Sequence, residues 1–109
     1  MPITNAGLLG AAELAANNAP ATPYTAQTGR LAAVTITFCN RNSAEAKVRL
    51  GVTANTAPNS AEWSFYDHPV PGGRSIDVTR TVGPGQRVSA SSNIANVSCT
   101  VNGLEETIG

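Results

Sequence analysis

Between Leu31 and Cys39 the side chains alternate. Val34, Ile36 and Phe38 fall on one side of an extended backbone, and Thr35, Thr37 and Cys39 fall on the other. Period two marks a strand with one buried face, and the turn formers of Asn40-Arg41-Asn42 close it. The pattern recurs along the chain. Tyr24-Thr25-Ala26 leads through Thr28-Gly29 into the long strand Arg30–Asn40. A turn at Asn42-Ser43-Ala44-Glu45 precedes Lys47–Thr53, where Val48, Leu50 and Val52 share a face. The polar loop Ala54–Ala61, with Asn55, Pro58 and Asn59, leads to Glu62–Val70, in which Trp63 and Phe65 oppose Ser64 and Tyr66. Pro71-Gly72-Gly73 and Gly83-Pro84-Gly85-Gln86 read as hairpin turns on either side of Ser75–Val82. Arg87–Ser91 and Asn96–Gly103 complete seven strands, and Glu105 and Glu106 begin a solvated acidic tail.

Seven strands at roughly ten-residue intervals, with no helical pattern between them, predict an all-β chain folded as a single antiparallel β-sandwich. Short loops would join antiparallel neighbours. The core would hold Val34, Ile36, Phe38, Val48, Leu50, Val52, Trp63, Phe65, Ile76, Val78, Val88, Val97, Cys99 and Val101. A length of 109 residues allows one such core. The sandwich would span 23–109, with residues 1–22 set apart as an N-terminal arm. In that arm Leu8, Leu9, Ala11, Ala12, Leu14, Ala15 and Ala16 suit a short helix capped by Asn5 and ended by Asn17-Asn18 and Pro20, or an extended segment laid on a neighbouring subunit.

Charge limits the partners. Seven Lys/Arg balance seven Asp/Glu, scattered along the chain, so no basic stripe exists to neutralise phosphates and direct nucleic-acid binding is disfavoured. Charged residues make up 13% of the chain, about half the usual share, which points to a surface that ends against other subunits as a homo-oligomer. No apolar run approaches the ~20 residues of a membrane-spanning helix. The N-terminal residues lack the basic and apolar regions of a secretory signal, so folding in the cytoplasm is expected. By strand parity Cys39 faces outward and Cys99 inward, which disfavours a bond between them and leaves Cys39 as a candidate inter-subunit thiol.

Nothing in the sequence assembles a catalytic set. The one histidine, His68, adjoins Asp67, but strand neighbours point to opposite faces and cannot form a base and its orienting acid. One His and two isolated Cys make no zinc set, and no glycine-rich turn opens a helix that could cradle phosphate. No catalytic, cofactor or metal residues are therefore assigned. Trp63 reads as core filler or as an interface anchor. Arg74 and Arg80 share the face of Ile76 and Val78, either as rim residues over the core or as partners for carboxylates of a neighbour.

Four segments carry a resemblance: Cys39-Asn40-Arg41-Asn42, Ala61-Glu62-Trp63-Ser64-Phe65-Tyr66-Asp67, Gly83-Pro84-Gly85-Gln86, and Val97 through Glu106 with its Gly103-Leu104-Glu105-Glu106 ending. In this order, after an early Tyr24-Thr25, they resemble a group of small virion structural proteins of tailed bacteriophages. The likeness covers about residues 22–106, and Cys99 departs from it where the group has an aliphatic residue. The resemblance implies a non-enzymatic β-sandwich subunit of the virion, assembled in the host cytoplasm. Such a subunit serves as a capsid decoration (cement) protein on the major capsid protein, or as a neck, collar, tail or fibre accessory. A carbohydrate- or receptor-binding module is the reading from another class, with Trp63 and Tyr66 as its aromatic residues. The candidate interface is Leu8, Leu9 and Leu14 of the arm together with Trp63, Arg74 and Arg80.

Overall fold

A computed structural model describes residues 3–55 and 61–107. The described residues are all-β, with eight strands: β1 (Ile3–Leu14), β2 (Ala21–Thr25), β3 (Arg30–Asn40), β4 (Ala46–Thr53), β5 (Trp63–Val70), β6 (Ser75–Val82), β7 (Arg87–Ser92) and β8 (Val97–Thr107). They form two four-stranded sheets, ordered β1-β8-β3-β6 (sheet A) and β2-β7-β4-β5 (sheet B). All pairings are antiparallel. The first strand lies beside the last, the second beside the seventh, the third beside the sixth and the fourth beside the fifth. That nested order is a jelly roll.

The order corrects how the strands are joined. Of the consecutive strands only β4 and β5 are neighbours in a sheet, and every other connection between described strands passes from one sheet to the other. The Pro-Gly turns are tight, as expected. The Arg74 amide bonds to the Pro71 carbonyl and the Gln86 amide to the Gly83 carbonyl, with Gly73 and Gly85 at positive φ. They carry the chain across the sandwich instead of closing hairpins. Pro58 and Asn59 of the predicted loop lie outside the described residues.

The N-terminal segment is neither a helix nor an arm laid on a neighbour. It is strand β1 of sheet A, paired with β8 from Ile3 opposite Glu106 to Leu14 opposite Val97. Its alanines favour a helix in isolation, but the ladder offered by β8 outweighs that weak propensity. Leu14 is buried in the core, and Asn17 and Asn18 end the strand in the left-handed conformation that Asn tolerates best. Where β1 passes β2, a Cβ at Gly10 would lie 1.9 Å from the Pro23 carbonyl oxygen, so only glycine fits.

The core lies between the sheets. Ala32, Val34, Ile36 and Phe38 of β3 face Val48 and Leu50 of β4 and Val88 of β7, with Val97, Cys99 and Val101 of β8 beside them. Phe65, Ile76 and Val78 only border it, because β5 and β6 are edge strands, and Val52 of β4 borders it too, past the register shift at Leu50 and Gly51. Buried Asn40 locks the corner where the predicted turn begins. Its Nδ2 donates to the Ala44 and Val70 carbonyls at 2.8 and 3.0 Å, and its Oδ1 accepts from the Asn42 amide and side chain. The Cys39-Asn40-Arg41-Asn42 segment thus has a structural role, tying the end of β3 in sheet A to the end of β5 in sheet B.

Candidate functional site

Two surfaces stand out, one on each sheet. The outer face of sheet A is a grid read directly from the strand registers. Its four rows are Ala6–Leu104–Ala33–Thr81, Leu8–Asn102–Thr35–Thr79, Ala11–Thr100–Thr37–Asp77 and Glu13–Ser98–Cys39–Ser75. The grid holds two charges, both engaged: Asp77 accepts a 2.7 Å hydrogen bond from Thr37, and Glu13 is paired with Arg41. Apart from the Asn102 amide and the Cys39 thiol, the remaining positions are alanine, serine, threonine or leucine. Leu8 is 63% exposed and Leu104 43%, which is unusual for leucines on a sheet open to solvent.

This grid sorts the predicted interface residues. Leu8 belongs to it, Leu9 packs partly against the core, and Leu14 is fully buried and cannot meet a partner. Cys39 lies half-buried on the grid, while Cys99 is buried on the opposite side of sheet A, as parity predicts, and both are free thiols. Burial pushes the Cys99 thiol up to about 12, so it packs as a small hydrophobe.

The second surface is on β5, where parity fails. Two register shifts interrupt the β4–β5 ladder, one between Val48 and Leu50 and one between Leu50 and Gly51. At the first, Asp67 takes a left-handed conformation with φ 57°. The bulges gather residues predicted to point apart. Trp63 stands opposite Gly51, outside the core, with its ring centroid 5.6 Å from that of Tyr66 in an edge-to-face contact. The Arg49 guanidinium lies over the Tyr66 ring at 4.1 Å and donates to Asp67 at 2.8 Å. That hydrogen bond holds the Asp67 carboxyl below its usual value. Trp63 is therefore not core filler, and it does not oppose Tyr66. Phe65 and His68 form a separate stack, centroids 4.8 Å apart, with the Arg80 guanidinium 5.9 Å from the Phe65 ring. Arg80 also reaches Ser64 at 3.3 Å and so spans the rim between β6 and β5, whereas Arg74 stands exposed before the start of β6.

A third cluster replaces the expected solvated tail. Glu105 lies within β8, 5% exposed. Its carboxylate accepts hydrogen bonds from Tyr24, from Arg30 at 2.8 Å and from Asn5 at 2.7 Å, so four strands meet on it. The Tyr24 bond first, then Arg30 and Asn5, draw its pKa down against the cost of burial, and the same burial and partner raise that of Tyr24. The cluster is an internal tie.

Among the described residues no three His, Cys, Asp or Glu side chains gather to hold a metal, and Asp67 bonds to Arg49, not to His68. A hollow of about 480 Å³ over the β3–β6 seam, lined by Ala33, Val34, Thr35, Thr79, Arg80 and Thr81, contains no carboxylate, imidazole or thiol. Among the described residues no helix is long and apolar enough to cross a membrane. Comparison with protein-family models, curated proteins and solved structures gives no match for this chain.

Proposed function

We propose that this protein is a non-enzymatic structural subunit of a bacteriophage virion, a capsid decoration protein that stabilises the shell by bridging major capsid subunits. The observation that carries the reading is the outer face of sheet A: a regular grid almost free of net charge, with two exposed leucines. Desolvating such a face costs little over most of its area, because its hydroxyls can exchange water for partner groups. Asp77, held by the Thr37 hydroxyl at the β6 edge, is the one carboxylate that calls for a donor from the partner. The jelly-roll order adds weight by analogy, since viral capsid domains use it, although the fold also serves unrelated functions. Grid spacings give an area of about 500 Å². A stable interface buries about 800 Å² per partner, so neighbouring copies or the rim must add contacts, as they would on a repeating lattice.

The test is binding of the purified protein to expanded capsids of the phage that encodes it. Saturable binding at a copy number set by the shell lattice supports decoration. A copy number matching a single ring would move the protein to the neck, collar or tail, and no incorporation into particles would remove the reading.

A further inference from the structure

We propose that Trp63, Tyr66, Arg49 and Asp67 form a binding site for an uncharged saccharide, on the opposite sheet from the grid. The bulged β5 ladder brings two aromatic rings together at a sheet edge, and Tyr66 is 59% exposed there. An aromatic ring left open to water offers an apolar plane matched by the C–H face of a pyranose. Beside the rings stand a fixed donor and a fixed acceptor. Arg49 donates its Nε hydrogen to Asp67 Oδ1 at 2.8 Å, while its Nη2 lies 3.5 Å from Oδ2. That second contact is long, so the guanidinium hydrogens and the far carboxylate oxygen keep capacity for other partners. Two adjacent sugar hydroxyls can satisfy both, one accepting from Arg49 and the other donating to Asp67.

Charge narrows the ligand class. Asp67 neutralises Arg49, so the pair itself offers a phosphate, sulfate or carboxylate no net charge, and exposed Lys47 beside Asp67 is the cation left to attract an anion there. A cation finds the Tyr66 ring already covered on one side by Arg49. A neutral polyol with an apolar face meets neither obstacle. The backbone supports the arrangement as well. Asp67 holds a left-handed conformation, and the bulge there sets its carboxylate against Arg49. Opposite Trp63 and Arg49, sheet B places only the small residues Gly51, Ser89 and Ser91, which are themselves buried, so the open part of the cluster is the exposed Tyr66 ring at the β5 edge.

Trp63 is the single tryptophan, so its emission reports on the site directly. The full chain is titrated with maltohexaose, cellohexaose, chitohexaose and mannohexaose, and with heparin hexasaccharide as the anionic probe, by calorimetry and by tryptophan emission. We expect saturable binding of at least one neutral oligosaccharide, weakened about tenfold or more by Tyr66→Ala and by Arg49→Gln. Tyr66→Phe should retain it, as should Asn102→Arg on the grid. Circular dichroism shows whether each variant is folded, and Asp67→Asn tests the ion pair should Arg49→Gln misfold. Absence of binding to every neutral probe, binding confined to heparin hexasaccharide, or binding indifferent to the folded Tyr66 and Arg49 or Asp67 variants would each overturn the site. The assay needs no virion, so its outcome is separate from capsid attachment.

Discussion

The grid on sheet A and the edge at β5 are built from strands of one sandwich, yet they follow opposite rules. On sheet A, β3 pairs with β8 from Arg30 to Asn40 and with β6 from Ala32 to Cys39 without a register shift. The two shifts in the β1–β8 ladder leave the β1 side chains in the same rows, so the result is a repeating surface of small side chains. At β5 the ladder slips twice within eight residues, and the result is a local knot of two aromatic rings and an ion pair. Continuous pairing of β3 with β6 and β8 produces an extended face. Broken pairing between β4 and β5 produces a compact cluster at one edge. The charge-poor composition hides this division, because most of the engaged ionic groups lie off the grid or at its corners.

The strongest way to break the contrast is to remove the strand that borders the grid. Deleting residues 3–14 should prevent folding altogether, and Leu14→Ala should cost about 2–5 kcal/mol in urea unfolding. A deletion variant with an unchanged melting temperature would restore the picture of a detachable arm. Next in size is the tie between the two regions. Asn40→Ala leaves the Val70 and Ala44 carbonyls without their donor and should cost about 1–3 kcal/mol, read in the same unfolding experiment. An unchanged midpoint would mean that water replaces the asparagine at that corner.

Acid separates the regions by the exposure of their carboxylates. Glu105 is held below the ordinary glutamate value, so its contribution is complete above about pH 4.3 and is lost as pH falls through the lower folded value. Glu105→Gln should lower stability at neutral pH and flatten the loss of stability between about pH 5 and 2. Asp67 is also depressed, but it is exposed, and Asp67→Asn should leave the acid limb nearly unchanged. Equal effects would show that exposure does not distinguish the two. The smallest expected change in stability is on the grid itself. Asn102→Arg and Thr79→Arg should shift unfolding by less than about 0.5 kcal/mol while abolishing attachment to particles. Retained attachment would point to another surface.

The sequence made the regular region legible and hid the irregular one. Alternation located β3 through β8 closely, since burial of one face imposes period two wherever pairing is continuous. Val34, Ile36, Phe38, Val48 and Leu50 are buried as that period demands. Strand β1 escaped because Ala11, Ala12 and Leu14 suit a helix as well as a strand, and the partner that decides between them is about ninety residues away. Glu105 escaped for a related reason: a carboxylate near the end of a chain reads as solvated until Tyr24, Arg30 and Asn5 are brought to it. The cluster on β5 escaped because parity assumes an unbroken ladder. The available hint was Asp67, a residue that tolerates the left-handed conformation, followed closely by Pro69, which is confined to strand edges and bulges.

Asn5 and Glu105 are separated by 100 residues in sequence and by one hydrogen bond in space. During synthesis β1 therefore leaves the ribosome long before β8 exists, and the grid cannot form until the last strand arrives. A topology so dominated by distant pairings folds on the slow side, in milliseconds to seconds. In that interval β1 is an open strand that the β8 of another copy can occupy as readily as its own. Dilution favours closure within one chain, and crowding favours exchange between chains. Where many copies are made at once, the timing of translation becomes a variable of assembly.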